Sequence, residues 1–251
     1  MSIRRAACSL AVLTVLACLS AACSSSTSMP AESLVALGDS VPRGTGCDCT
    51  PYPPMTADLL TASSGRKVTA TNDAVAGSTS ADVLRQLESD RSVVDHVAAA
   101  RVIELEVGAN DVPYTSACGT AVECYAPRIP PLERNLRSIV ARLHDLTAAH
   151  KTLVVLLDYW SVWLGGTYAS AKGEAYVNAA EQVTDEVNRV VKSTAAESGS
   201  VYVDLRAAFK GPSYAYDETH YLASDGDHPN AAGHRRIAEA ADAVIDTALG
   251  L

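Results

Sequence analysis

The first candidate for chemistry is Ser40, which follows an apolar run in the stretch VALGDSVPRG (residues 35–44). Glycine, aspartate and serine are common turn formers, so this stretch alone also fits an ordinary turn. A serine hydroxyl becomes an effective nucleophile when a neighbouring imidazole accepts its proton. The C-terminal segment ASDGDHPN supplies an imidazole in His228, with Asp225 and Asp227 preceding it. Serine, histidine and aspartate together are the residue types of acyl transfer.

These residue types divide the work of acyl transfer among them. His228 is the candidate general base, and Asp225 is the candidate partner that orients its ring and stabilises the imidazolium. The negative charge that develops on the carbonyl oxygen needs hydrogen-bond donors, which form an oxyanion hole. The candidate donors are the backbone amides of Ser40 and Gly77 and the side-chain amide of Asn110. One such donor typically contributes about 2.7–4 kcal/mol to transition-state stabilisation.

The elements that must position these residues alternate along the chain. Apolar runs rich in Val, Leu and Ile predict strands at residues 33–39, 67–74, 101–108, 152–159 and 201–205. Helical patterns lie at residues 54–63, 79–98, 131–149, 171–198 and 229–248. This alternation predicts a three-layer α/β/α sandwich with a mostly parallel five-stranded sheet, which is a flavodoxin-like architecture. No internal repeat or second linker is evident, so we expect one catalytic domain at residues 33–251.

The predicted sheet brings the chemistry to one edge. In open parallel sheets, sites form in the loops beyond the carboxyl ends of the strands. Ser40 follows the first predicted strand, Gly77 the second and Asn110 the third, and His228 precedes the last helix. The sequence therefore predicts that these four residues meet at the same edge.

Four segments of the chain resemble the four sequence blocks of the SGNH hydrolases, also called GDSL esterases and lipases. The segments are Gly38-Asp39-Ser40 with Gly44, then Asn72 to Gly77, then Gly108-x-Asn110-Asp111, and finally Asp225-x-x-His228-Pro229. The resemblance implies that Ser40, Gly77, Asn110 and His228 are the residues that name the family. It also implies that Asp225, rather than Asp227, completes the triad. An ester hydrolase that needs no cofactor and no metal is then expected.

Other interpretations of the same residues remain open at this point. Gly77 also fits a turn before a helix, and Asn110 fits a capping or turn residue. A metal cluster is a further alternative, but a proline interrupts any helix that would bring its members together. That cluster would consist of His220, Asp225, Asp227, His228 and His234. Val41 replaces the leucine of the GDSL motif, a change in the part of the motif that does no chemistry.

The N-terminus has the features of an export signal. A basic start precedes an apolar run (residues 6–19) that is shorter than the roughly 20 residues of a membrane span, and small residues follow it. The sequence LSAAC, which ends at Cys23, resembles a bacterial lipobox. We therefore expect a signal peptide at residues 1–22, lipidation of Cys23 and a flexible tether at residues 23–32. The protein would be a lipoprotein anchored in the cell membrane and facing outward, or a secreted protein.

Four cysteines remain beyond the predicted signal and lipidation site, namely Cys47, Cys49, Cys118 and Cys124. An even number in an exported protein indicates two disulfides, with three possible pairings. Zinc binding is disfavoured because C-x-C and C-x5-C differ from the usual C-x2-4-C spacing. Pairing within each loop would close a tight ring between Cys47 and Cys49, so we expect a pairing between the two loops at least equally.

Composition narrows the possible partners. The net charge is −9 and no cluster of Lys and Arg stands out, so nucleic acid is not an expected partner. The expected partners are a small-molecule, lipid or glycan ester and, if Cys23 is lipidated, a membrane; we expect a monomer. Trp160 and Trp163 either pack the loop after the fourth strand or offer a stacking surface to a substrate. Two other functions fit the same residues: an acyltransferase and a surface binding protein that has lost catalysis.

Overall fold

A five-stranded parallel sheet lies at the centre of the protein. The computed structural model describes residues 32–251, so the predicted signal peptide, Cys23 and all but the last residue of the predicted tether lie outside the described residues. The strands are β1 (Glu32–Gly38), β2 (Val68–Asn72), β3 (Val102–Glu106), β4 (Leu153–Leu157) and β5 (Val201–Val203). Their order in the sheet is β2-β1-β3-β4-β5, and every neighbouring pair is parallel. The predicted fold class is confirmed.

Nine α-helices lie between or after the strands within residues 32–251. They are α1 (Ser40–Arg43), α2 (Tyr52–Ser64), α3 (Ser80–Ser89), α4 (Arg91–Ala98), α5 (Ile129–Leu146), α6 (Gly166–Ser170), α7 (Glu174–Ser198), α8 (Leu205–Lys210) and α9 (Ala231–Leu249). Helices α2 and α9 pack against each other, whereas α3, α5 and α7 form a second set of contacting helices. Right-handed crossovers between parallel strands place these two sets on opposite faces of the sheet. In this part of the chain, no helix is both long and apolar enough to cross a membrane.

One long predicted helix is two helices in the structure. Residues 79–98 show a continuous helical pattern, but the chain turns at Asp90, which has extended backbone angles (φ −90°, ψ 104°). The Asp90 carboxylate accepts hydrogen bonds from the amides of Ser92 and Val93 and so caps the start of α4. A side chain that satisfies free amides at a helix start stabilises the break.

The sheet interior departs from an all-apolar composition at two positions. Both Glu104 and Glu106 belong to the central strand β3 and are fully buried. Neither carboxyl group has a hydrogen-bond partner within residues 32–251. Burial raises the pKa of Glu104 to about 8 and raises that of Glu106 well above its ordinary value. Glu104 is therefore largely protonated at neutral pH, which reduces the cost of burying it.

Candidate active site

The turn that presents Ser40 depends on a glycine. Gly38 ends β1 with a φ of +140°, and a Cβ atom on it would lie 1.9 Å from the carbonyl oxygen of Glu106 in the adjacent strand. Only glycine allows this approach. The chain then enters the short helix α1, whose first residue is Ser40 and which ends at Gly44 with a φ of +86°. The turn is therefore built to place Ser40 directly beyond the carboxyl end of β1.

Asp39 anchors this turn from inside the protein. One carboxylate oxygen accepts the amide hydrogen of Val41 at 3.0 Å, and the other accepts the hydroxyl hydrogen of Tyr159 at 2.6 Å. Burial raises the pKa of Asp39 to about 6, although both hydrogen bonds act in the opposite direction. Asp39 belongs to the first sequence block, but the block indicates no partner for its side chain, and Tyr159 belongs to none of the four blocks. Nothing in the local sequence indicates this pairing, because Tyr159 lies in the loop that follows β4.

His228 is held by Asp225. The Nδ1 atom of His228 donates to the Asp225 carboxylate at 2.8 Å. The other carboxylate oxygen accepts the backbone amides of Asp227 and His228, each at 3.0 Å. Partial burial alone would raise the pKa of Asp225, but these hydrogen bonds outweigh it and hold the pKa below its usual value. Asp227 makes no such bond, and burial raises its pKa. Of the two candidate aspartates, Asp225 is the one that contacts the imidazole.

One cavity brings the sequence-predicted residues together. Ser40, Asn110 and His228 all line a cavity of about 450 Å³ at the carboxyl edge of the sheet. Ser40 follows β1, Asn110 lies in a short 3-10 turn after β3, and His228 precedes α9. The remaining wall includes aromatic, apolar and polar side chains, among them Pro113, Tyr114, Tyr159, Val162, Trp163, Lys172, Tyr176 and Asp227. The cavity thus combines candidate reacting groups with a surface for a substrate.

The two other candidate oxyanion donors differ in position. The Asn110 side-chain nitrogen donates one hydrogen to the carbonyl oxygen of Ser78 at 3.1 Å, and its second hydrogen remains for another acceptor. Gly77 is adjacent to Ser78 but is not among the residues that line the Ser40 cavity. It lines a separate shallow depression beside α3. A Cβ atom at position 77 would meet nothing within 4 Å, so space does not require a glycine there. The positive φ of Gly77, +81°, is the reason that glycine is favoured at this position.

The cysteines pair within their own loops. Cys47 is bonded to Cys49, and Cys118 is bonded to Cys124, with Cα separations of 5.2 and 5.6 Å. The expectation that a pairing between the loops is at least equally favoured is therefore wrong. Each loop folds back on itself locally, which brings the two cysteines of one loop within bonding distance.

Both cysteine loops border the site. A Cβ atom on Gly46 would lie 2.9 Å from Oδ2 of Asp225 and 2.9 Å from Cβ of His228, so the first loop packs directly against this pair. In the second loop, Thr120 lines the cavity. Both loops therefore contribute to the surroundings of the candidate active site.

Both tryptophans are packing residues that also line the cavity. Trp160 and Trp163 are almost completely buried. Trp160 stacks on Phe209 with ring centroids 4.3 Å apart, and the Trp163 indole donates to the carbonyl oxygen of Val112 at 2.8 Å. These contacts fix the loop after β4. Because both tryptophans also line the cavity, their role as a stacking surface for a substrate stays a prediction.

A known protein family matches the part of the chain that contains the candidate site. The model of the GDSL-like Lipase/Acylhydrolase family matches residues 36–236, which contain all four blocks named above. No curated protein is significantly similar to the chain in sequence.

Solved structures share the fold at low sequence identity. A lipase from a goat rumen metagenome superposes with a TM-score of 0.68 at 20% identity, covering 85% of this chain and 97% of its own. A catalytic mutant of an acetylxylan esterase from Geobacillus stearothermophilus gives a TM-score of 0.61 at 22% identity, covering 87% and 96%. The structure of TesA superposes with a TM-score of 0.58 at 20% identity, covering 86% of this chain and 99% of its own. At these identities the structures establish the shared fold.

Proposed function

The chain belongs to the GDSL-like lipase/acylhydrolase family and is an ester hydrolase, and we propose that it acts through an acyl-enzyme on Ser40. The observation that carries this proposal is the placement of Ser40, Asn110 and His228 on one cavity, with His228 bonded to Asp225. In the first step the Ser40 Oγ attacks the ester carbonyl carbon, and Nε2 of His228 accepts the hydroxyl proton. Asp225 keeps Nδ1 protonated and Nε2 free to act as the base.

The tetrahedral intermediate carries a negative oxygen that must be stabilised. The second hydrogen of the Asn110 side-chain amide and the backbone amide of Ser40 are the proposed donors. We retain Gly77 as a third donor on the strength of the family resemblance alone. Gly77 precedes Ser78, which Asn110 contacts, but Gly77 does not line the cavity. For the Gly77 amide to reach the oxyanion, the loop at residues 75–78 would have to turn towards the cavity when substrate binds.

Collapse of the intermediate and a second attack complete the cycle. The His228 imidazolium donates its proton to the departing alcohol oxygen, the ester C–O bond breaks, and the acyl group remains on Ser40. Water then attacks the acyl-enzyme while His228 accepts one of its protons. That proton returns to the Ser40 oxygen as the carboxylic acid leaves, so the enzyme is restored without a net change of protons.

The cavity favours a small acyl group and a polar alcohol. A volume of about 450 Å³ lies in the lower half of the usual range for small-molecule sites, which is roughly 300–1,000 Å³. Its wall contains both aromatic side chains, including Tyr114 and Tyr176, and charged ones, including Lys172 and Asp227. A long acyl chain would instead require an extended apolar surface. We therefore propose short-chain esters, including acetylated sugars, as the substrate class.

A fluorophosphonate probe tests the nucleophile. Labelling of the purified protein at Ser40, located by mass spectrometry and absent from Ser40→Ala, is the expected result. Ser161→Ala is a matched control, because Ser161 lines the same cavity but hydrogen-bonds within its own loop. A series of p-nitrophenyl esters should show the highest kcat/KM for acetate or butyrate. Undiminished hydrolysis by Ser40→Ala would overturn the acyl-enzyme proposal, and transfer to added alcohols in preference to water would favour an acyltransferase.

We also propose that the protein is exported and lipidated at Cys23, which rests on the sequence pattern of residues 1–23. Expression in a bacterium with intact lipoprotein processing should give a membrane-bound product whose N-terminal residue is a diacylated Cys23. Cys23→Ser should yield a protein that is no longer acylated. Detection of an unmodified N-terminus at Cys23 in the native product would contradict the proposal.

A further inference from the structure

A buried histidine lies beside the first disulfide of the protein. His234 is in the first turn of α9, has no exposed surface, and neither of its ring nitrogens has a hydrogen-bond partner within residues 32–251. Leaving a buried polar group without a partner costs about 1–3 kcal/mol. Such a group in a folded protein calls for an explanation, and an absent ligand is one of the recognised explanations.

The ligand-type atoms nearest to that ring are two sulfurs. A ring nitrogen of His234 and the Sγ atoms of Cys47 and Cys49 all lie within 4.8 Å of one another. Within residues 32–251, this is the only group of three or more metal-ligating side chains whose ligand atoms lie this close together. It does not include His220, Asp225, Asp227 or His228. The cluster therefore differs from the metal alternative that the sequence alone suggested.

We propose that, when the Cys47–Cys49 disulfide is reduced, Cys47, Cys49 and His234 form a binding site for Zn²⁺ or a similar soft divalent cation. Two thiolates and one imidazole are a donor set that favours zinc over hard cations such as Mg²⁺ or Ca²⁺. Three protein ligands leave the fourth tetrahedral position for water. The disulfide and the metal site are then two alternative states of the same pair of sulfurs.

Conversion of the disulfide into the metal site requires a reductant, and a dithiol can serve as one. The reductant supplies two electrons and two protons, the S–S bond breaks, and the products are two cysteine thiols and the oxidised reductant. Zinc binding then releases the two thiol protons to solvent. In a tetrahedral site with Zn–S bonds of about 2.3 Å, the sulfurs lie about 3.8 Å apart. Side-chain rotation accommodates that separation, because the Cα atoms of the two cysteines already lie 5.2 Å apart.

The histidine is prepared for this role. The ring of His234 is fully buried, and neither nitrogen has a hydrogen-bond partner within residues 32–251, so a ring nitrogen is available to a ligand. The Tyr52 ring lies alongside it with centroids 6.4 Å apart and an interplanar angle of 26°, which helps to hold the imidazole in place. The imidazole is thereby held with a ring nitrogen within 4.8 Å of both sulfurs.

Cobalt titration tests the site directly. The purified protein is reduced with a dithiol, freed of reductant under argon, and titrated with Co²⁺ as a spectroscopic substitute for Zn²⁺. The expected result is one Co²⁺ per chain with a thiolate-to-cobalt charge-transfer band, which added Zn²⁺ removes. The oxidised protein should show no such band. Absence of binding by the reduced protein would overturn the proposal.

Two sets of variants assign the ligands. Cys47→Ser should abolish the charge-transfer band, and His234→Gln should weaken Co²⁺ binding at least tenfold. Circular dichroism establishes that each variant is folded, and Cys47→Ser remains informative if the buried His234→Gln does not fold. The matched control is Cys118→Ser combined with Cys124→Ser, which removes both cysteines of the second disulfide and should leave the band unchanged. A band that persists in Cys47→Ser, or that requires Cys118 and Cys124, would place the metal elsewhere and refute the site.

Discussion

Tyr159 donates its phenolic hydrogen to the buried carboxylate of Asp39 at 2.6 Å and thereby joins the loop after β4 to the turn that carries Ser40. The two residues come from different crossovers of the sheet, and both line the cavity. This bond makes the orientation of the candidate nucleophile depend on a second strand.

Tyr159→Phe should therefore lower both stability and turnover. Removal of the hydroxyl leaves one buried oxygen of Asp39 without its partner, and we expect a loss of about 1–3 kcal/mol in the free energy of unfolding. A displaced Ser40 turn should reduce kcat by about tenfold with little change in KM. Urea denaturation and steady-state kinetics on p-nitrophenyl acetate measure the two effects.

Tyr202→Phe is the matched control for that variant. Tyr202 also donates to a buried aspartate, Asp158, but it does not line the cavity. It should lose comparable stability and keep its kcat. If the two variants have the same kcat, the Tyr159–Asp39 bond has no positioning role.

The two aspartates beside His228 should differ sharply in importance. Asp225→Asn removes the negative charge that holds Nδ1 of His228 and allows the wrong tautomer, so kcat should fall by about 10⁴, as in serine protease triads. Asp227→Asn should change kcat less than about tenfold, because Asp227 does not bond to the imidazole. Equal losses of kcat in the two variants would contradict the assignment of Asp225, rather than Asp227, as the partner of His228.

Asn110→Ala should lower kcat by about 10²–10³ because it removes a donor to the oxyanion. The expected loss lies in kcat rather than KM, since the charge exists only in the transition state and intermediate. Thermal denaturation serves as the control, because Asn110 also donates to Ser78 and part of the effect could come from the fold. A large rise in KM with unchanged kcat would assign Asn110 to ground-state binding instead.

Glu104 should make stability depend on pH between about 4.5 and 8. In this range the folded state keeps the Glu104 proton, whereas the unfolded state, with an ordinary pKa of 4.5, has released it. The folded state then binds more protons, so stability falls as pH rises, by up to about 1.4 kcal/mol per pH unit. Glu104→Gln should reduce this slope in urea denaturation curves recorded at pH 5, 6, 7 and 8.

Two comparisons make that measurement specific to Glu104. Glu106, whose pKa is also raised by burial, should preserve part of the slope in Glu104→Gln. Glu88→Gln, at an exposed position of α3, should leave the slope unchanged. A Glu104→Gln protein with the original slope would show that Glu104 does not hold its proton in the folded state.

The fold was largely predictable because its signals are local and periodic. All five predicted strands occur, each within about two residues of its expected ends, since buried parallel strands are short apolar runs between helical segments. The sheet edge follows from that alternation, and it explains why Ser40, Asn110 and His228 were found to share a cavity. Short elements were less predictable: α1, α6 and α8 contain four to six residues and lack a full amphipathic repeat.

The remaining features depend on contacts between distant residues. The break at Asp90 was missed because an aspartate fits both an exposed helix position and a helix cap. The Tyr159–Asp39 bond joins residues that no motif connects. The sequence also did not indicate that His234 lies beside Cys47 and Cys49. Spacing rules for metal sites apply to ligands that are close in the sequence, and His234 is far from the two cysteines.

The strand order also bears on the order in which the site is assembled during synthesis of the chain. β1, which leads to Ser40, lies between β2 and β3 and is enclosed only after the later-synthesised β3 has added to the sheet. His228 precedes α9, the last helix, and that helix packs against α2 near the beginning of the domain. Contacts so distant in sequence form late, after the loops between them have closed. We therefore expect a chain whose C-terminal helix has not docked to lack esterase activity, so that ester hydrolysis would report completed folding.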